Sequence, residues 1–279
     1  MDNRQLKKNQ DQDQRSSSNV VARGWLLAFA LSCPLANPGL AERTNDDAAF
    51  WRSVQAAQVI YVGEIHNDPA SHRYEIELIT ALAKHHIGFA VGWEMFSQEQ
   101  QPLLNSFDRR KLTQAELFDR TGFNRSWAVD SDDYARILEQ TQKLKIQNIA
   151  LNASPDLVRK VAHADSLTAA EEAEIPRDFA VPVDGLTHFR TLMGSHPGLN
   201  SKDLVRFYAA QNVWDQTMAT NILNFVARER ESKLVVVTGR AHVSDGFGVP
   251  RYVKQKSSVG QLILFPPGKN DLKQGQKAV

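Results

Sequence analysis

Five short runs rich in β-branched residues recur along the chain with little polar alternation. They are Gln58–Gly63 (QVIYVG), Gly88–Trp93 (GFAVGW), Gln147–Leu151 (QNIAL), Lys233–Thr238 (KLVVVT) and Gly260–Phe265 (GQLILF). A strand that is apolar on both sides must be covered on both faces, as in parallel sheets coated by their own crossover helices. Helical patterns do separate the runs. Asp68 followed by Pro69 reads as an N-cap and first-turn pair, with Ile76, Ile79 and Ala83 on one face and His85-His86 and Gly88 closing the helix. Ser154-Pro155 opens another helix in the same way. From Leu204 to Val226 runs a long amphipathic stretch whose Trp214, Met218, Ile222 and Phe225 fall at helical spacing and read as core. The expected fold is α/β, a mostly parallel sheet flanked by helices.

The spacing of the runs is uneven. Polar, helical stretches intervene at about 97–140 and 155–203 and read as insertions forming a lid over one edge of the sheet. The α/β domain is expected over 42–267, and the polar tail at 268–279 is expected to be disordered. Residues 1–41 read as a leader: a basic region with Lys7, Lys8, Arg15 and Arg23, a short apolar run from Trp25 to Leu31, then small residues and prolines. Gly39-Leu40-Ala41 fits a cleavage site that would release a soluble exported protein. Ala30-Leu31-Ser32-Cys33 fits a weak lipobox, in which an acylated Cys33 would tether the protein to the envelope membrane. That anchor is the sole membrane contact expected, because no run approaches the roughly 18 apolar residues of a spanning helix.

Charge and cysteine content exclude further classes. The whole chain carries a formal +1, with 33 basic and 32 acidic residues. Without the leader the balance is slightly negative, so a nucleic-acid partner bound by counterion release is not expected. The single cysteine rules out an internal disulfide and any Cys-based zinc or iron–sulfur site.

In open α/β sheets the chemistry gathers at the carboxyl ends of the strands. The first run ends in Gly63-Glu64-Ile65-His66, the second in Glu94, the third in Asn152, and the fourth in Gly239-Arg240-Ala241-His242. Two Gly-x-x-His elements, two glutamates, Arg240 and Asn152 are thus expected in one crevice, with His72 one turn further on. Each glycine lets the backbone turn sharply, and each histidine then stands in the following loop as a base or ligand. Gln211 and Asp215 share a helix face and either reach this crevice or pair with each other. His85 and His86 need no function beyond the end of their helix. Gly246 to Pro250 reads as a tight turn.

Taken in order, the motifs resemble the ChaN-like haem-binding uptake family, in the superfamily that includes Tiki proteases and erythromycin esterases. The matching segments are Val62 to Pro69 with His72, Trp93 to Phe96, and Ala150 to Ala153. They continue with Gln211 to Asp215, Met218-Ala219, and Gly239 to Val243 through Pro250. The resemblance implies an exported bacterial protein, periplasmic or lipid-anchored, that works in haem or iron uptake, with envelope uptake components as partners. It also implies a tyrosine as axial haem ligand, in a homodimer stacking two haems face to face. Tyr134 and Tyr208 are the tyrosines expected to serve, with Tyr134 on the haem iron and His66, His72, Asn152, Arg240 and His242 around the group. Absence of a Cys-x-x-Cys-His run makes the haem non-covalent. The alternative is a hydrolase, an esterase or peptidase, built from Glu64, His66, Glu94 and His242. It would use a histidine base or a divalent metal held by Glu64, His66 and His242. His-Glu-x-x-His is absent, which removes the common zinc-protease pattern.

Overall fold

The computed structural model describes residues 48–127, 131–193, 201–266 and 277–278. The leader with Cys33 and tail residues 267–276 lie outside them. Strands β1 (Val59–Glu64), β2 (Phe89–Ser97), β3 (Asn148–Asn152), β4 (Lys233–Gly239) and β5 (Gln261–Leu264) form one parallel sheet in the order β3-β2-β4-β1-β5. A two-residue β6 (Lys277–Ala278), in the tail expected to lack order, adds antiparallel to β5. The five runs in the sequence are the five parallel strands. β2 extends beyond Trp93 to Ser97, so Glu94 stands inside the strand instead of following it.

A period of two sorts each strand between two cores. Ile60 and Val62 of β1, Val91 and Trp93 of β2, and Val235 and Val237 of β4 face one layer. That layer holds α1 (Ala48–Ala56), α2 (Pro69–Lys84), α3 (Gln101–Asp108), α4 (Gln114–Thr121), α5 (Phe123–Ser126) and α6 (Ser131–Leu144). Val59 and Tyr61, Ala90, and Leu234 and Val236 face the other layer, built by α10 (Ser201–Arg228) and α11 (Val249–Lys256). Both faces are buried, which is why the runs carry no polar alternation. In the second intervening stretch lie α7 (Pro155–His163), α8 (Ala169–Glu174) and α9 (Asp184–Met193). Of these, α7 packs through Leu157 and Val158 on Ala210 and Val213 of α10. Among the described residues no helix is long and apolar enough to cross a membrane.

α2 starts as its sequence dictates, with the Asp68 side chain accepting from the Ala70 amide and Pro69 in the first turn. Its inward face is not the expected one. Ser71, His72, Tyr74, Glu75, Leu78, Ile79 and Leu82 are buried, whereas Ile76 and Ala83 are only half-buried. The helix is rotated so that His72 and Glu75 turn toward the end of β1, a placement that apolar periodicity does not signal.

Gly248 shows how tightly the loop after β4 is set. It has φ 70°, and a Cβ there would lie 2.1 Å from the carbonyl oxygen of His242. We predict that Gly248→Ala destabilises the fold by about 1–3 kcal/mol or more. Gly88→Ala, with nothing within 4 Å of the added carbon, should stay within about 0.5 kcal/mol of wild type. Urea denaturation of the two variants measures the difference.

Candidate functional site

β1 and β4 are neighbours, paired Glu64 against Gly239 at their carboxyl ends. The chain leaves β1 for α2 on one face and leaves β4 for α11 on the other. Adjacent strands whose connections diverge in this way open a crevice between their ends. The two Gly-x-x-His elements meet there. A Cβ on Gly239 would come 2.7 Å from Nε2 of His66, so the glycine makes room for the neighbouring strand's imidazole.

Each imidazole has one nitrogen held by a carboxylate and the other turned toward Glu94. His66 Nδ1–H donates to Glu64 Oε1 at 2.6 Å, and the Tyr134 hydroxyl, from α6, donates to the same oxygen at 2.5 Å. His242 Nδ1–H donates to Asp215 Oδ1 at 2.5 Å, beside Gln211 on α10. Between the rings, Glu94 Oε1 lies 3.2 Å from His242 Nε2 and 3.8 Å from His66 Nε2. Its other oxygen accepts from Thr238 Oγ1 and from the Gly239 amide, both at 2.6 Å. Every one of these side chains is buried except at the cavity face of the rings.

The charges support one another. Burial opposes ionisation of Glu94, but His242 and His66 outweigh it and hold the carboxyl down at about 2. Burial likewise opposes the His242 imidazolium, and Glu94 with Asp215 raises its pKa to about 10. His66 is raised despite burial by its bond to Glu64 and by Glu94, with His242 opposing. Glu64 is buried too, yet His66 and His72 keep it well below the usual carboxylate range. At neutral pH His242 is therefore an imidazolium beside the ionised Glu94, and Glu64 and Glu94 favour the protonated form of His66 as well.

The rings floor a cavity of about 290 Å³. Met95, Phe123 and Trp127 wall one side, the last donating its indole N–H to the Met95 carbonyl at 3.0 Å. Ala153, Val158 and Trp214 wall the other, and Arg125, Arg159, Asp156 and His163 stand at the mouth. The two intervening stretches face each other across the crevice, as a lid built from them requires.

His66, Glu94, His242 and Asn152 all line this cavity. Asn152 acts as a clamp at the end of β3, donating to the Glu94 carbonyl at 2.9 Å and accepting from the Ala153 amide at 2.9 Å. Glu64 and His72 lie behind His66 and do not reach the space. Arg240, expected in the crevice, turns away from it. Its guanidinium sits over Phe265, 5.2 Å from the ring centroid, and donates to the Pro266 carbonyl at 3.2 Å. The 3₁₀ turn Arg240–His242 explains this, since three residues per turn cannot all face one way. Tyr134 is fully buried beneath His66, and Tyr208 is buried on α10 with its hydroxyl donating to the Pro182 carbonyl at 2.8 Å. Gln211 and Asp215 do both of the things expected as alternatives: Gln211 donates to Asp215 Oδ1 at 3.4 Å, and both meet His242 Nδ1. Trp214 packs partly on the core stripe and also walls the cavity, edge-on to His242 at 6.0 Å between centroids. Glu75 and the bond of Tyr134 to Glu64 have no local sequence signal.

The family model described as haem-binding uptake, Tiki superfamily, ChaN matches residues 50–253. Among solved structures, the cofacial haem complex of ChaN from Campylobacter jejuni superposes with a TM-score of 0.62 at 18% identity, covering 79% of this chain and 85% of that one. An erythromycin esterase EreC mutant in its open conformation gives a TM-score of 0.48 at 14% identity, covering 88% and 82%. At 18% identity the likeness to the ChaN complex speaks for the fold alone. No curated protein matches the chain.

The shifts of Glu94 and His242 set a stability window. Glu94 has a folded pKa below its ordinary 4.5, so its contribution is complete above 4.5 and lost as pH falls through about 2. His242 has one above its ordinary 6.5, so its contribution is complete below 6.5 and lost as pH rises through about 10. The denaturation midpoint should be highest between pH 4.5 and 6.5. His242→Gln should lower it most in that window and flatten the decline toward pH 10. A decline of equal steepness in the variant would contradict the assignment.

Proposed function

The chain belongs to this haem-binding uptake family, and we propose that it binds haem non-covalently and serves haem or iron uptake as an exported protein of the bacterial envelope. The family match, which runs from α1 to α11, is the observation that carries this reading. The leader pattern over residues 1–41 supports export, by cleavage after Ala41 or by acylation of Cys33. The haem-bound relative's cofacial arrangement supports a homodimer holding two haems.

Tyrosinate ligation does not fit this conformation. All five tyrosines, Tyr61, Tyr74, Tyr134, Tyr208 and Tyr252, are buried. Burial and the charge of Glu64 push the Tyr134 phenol well above its ordinary value, so the proton stays on the oxygen. Imidazole suits the cavity better. His66 presents Nε2 to the space while Glu64 holds Nδ1–H, the arrangement that orients a metal-binding imidazole and strengthens its free nitrogen. His66 would hold iron through Nε2 only in its neutral form. Much of the wall is apolar, and Arg125 stands at the mouth, where carboxylates of the ligand would emerge, near an Arg159 that pairs with Asp156 at 3.0 Å. When bound, haem would supply an iron centre that His66 would hold.

A titration of the purified protein with haemin tests this. We expect a saturable Soret band, weakened at least about tenfold in affinity by His66→Ala and unchanged by Tyr134→Phe. Haem addition should also double the mass seen by light scattering. A titration without saturation overturns the reading.

One feature favours a second reading, a hydrolase: the carboxylate behind each imidazole repeats the way acid–base catalysts orient a ring. His242 is protonated at neutral pH and the carboxylates beside His66 favour its protonated form, so the rings would serve first as acids, with a base emerging as pH rises. Ester hydrolysis that increases toward alkaline pH and vanishes in both His66→Ala and His242→Ala is the outcome this reading requires.

A further inference from the structure

The inward face of α2 carries ionisable groups where the core stripe would place leucines. His72 and Glu75 lie one turn apart, in line with Ile79 and Leu82, and both face Glu64. Exposure is 1% for Glu64, 3% for His72 and 1% for Glu75. Glu64 Oε2, both ring nitrogens of His72 and both carboxylate oxygens of Glu75 lack any hydrogen-bond partner. Nine buried side-chain atoms are orphaned in this way among the described residues, and these five of them meet at one point.

The neighbouring contacts do not relieve them. His72 Nε2 is 3.3 Å from Glu64 Oε2 and its Nδ1 is 3.4 Å from Asp133 Oδ2, close enough for attraction but without hydrogen-bond direction. Burying a polar group without a partner is costly, and more so when it is charged. Folded proteins keep such groups where something else pairs with them.

One donor atom from each of the three residues lies within 4.8 Å of the other two. Donors that share an ion at about 2.0–2.2 Å stand at most roughly 4.4 Å apart, so the three need draw in by only about 0.4 Å around an ion. Two carboxylates and one imidazole bring a charge that a divalent cation balances. A mixed nitrogen and oxygen set of this kind suits manganese, iron(II) or zinc over calcium. Without an ion, burial and the charge of Glu64 push the Glu75 carboxyl well above its ordinary range, toward the neutral acid.

We propose that Glu64, His72 and Glu75 form a buried binding site for a divalent transition-metal ion, lying behind the crevice and separate from the imidazole nitrogens that face the cavity. The ion occupies the gap between α2 and the end of β1. It takes Glu64 by Oε2, the oxygen that His66 and Tyr134 leave free, and so fixes the carboxylate that orients His66. The site acts on the crevice through Glu64, as a positioning element. It does not rest on haem binding, and the same cavity would use it under either reading above.

The test is metal titration of the full chain after stripping with a chelator, using cobalt(II) as a spectroscopic probe and zinc and manganese by elemental analysis. The wild type is expected to bind one equivalent, with visible cobalt bands and a rise in melting temperature. Changes around a ligand already weaken metal sites about 10–100-fold, so loss of a ligand in Glu75→Gln or His72→Asn should weaken binding at least about tenfold. His242→Ala, in the cavity, should keep it within about twofold. Glu75→Gln matches the neutral acid in shape and charge, so it tests binding without opening a void. Absence of one-equivalent binding overturns the proposal. So does an affinity that Glu75→Gln leaves unchanged, or one that His242→Ala lowers as much as Glu75→Gln does.

Discussion

A buried carboxylate inside a central strand controls this molecule. Glu94 stays ionised because the Thr238 hydroxyl, the Gly239 amide and the His242 and His66 rings surround it. Removing any one partner would leave a charge in a low-dielectric interior, where an unpaired ion is far more costly than in water. The arrangement is thus mutually dependent. Glu94 favours the protonated form of both rings, the rings keep Glu94 charged, and Glu64 and Asp215 fix the far nitrogens so that both rings face the cavity.

The sheet makes the arrangement possible. Parallel strands deliver their carboxyl ends to one edge, and the divergence of the connections after β1 and β4 opens a space where no backbone competes. α10 then supplies Asp215 from one layer, while α2 and α6 supply the support for Glu64 from the other. The two halves of the site are held by opposite layers of the sheet, so the crevice geometry depends on how firmly both layers pack.

Much of this was legible in the residues. Strands buried on both faces announce themselves by unbroken apolar runs, and the Asp68-Pro69 start of α2 follows from capping chemistry. The paired Gly-x-x-His elements located the crevice because a glycine at a strand end has a local backbone consequence. What was not legible rests on long-range contact. Tyr134 meets Glu64 across 70 positions, and nothing near either residue encodes that meeting. Glu75 is hidden for the opposite reason. Apolar periodicity sets the expected face of α2 from Ile76, Ile79 and Ala83, whereas the actual rotation is set by polar groups drawn to the end of β1. Arg240 failed as a site residue because a single tight turn separates its direction from that of His242.

Carboxylates hold Nδ1 of both rings, turn Nε2 toward the cavity, and raise the pKa of both imidazoles. Nitrogen-15 NMR of the histidine rings tests this most directly, since ring protonation and tautomer are read from the shifts and are not visible from heavy atoms. The account predicts that His242 keeps both ring protons well above pH 7 and loses one only toward the value of about 10. His66 should titrate above its ordinary 6.5. A His242 that titrates at or below 6.5 would contradict the account.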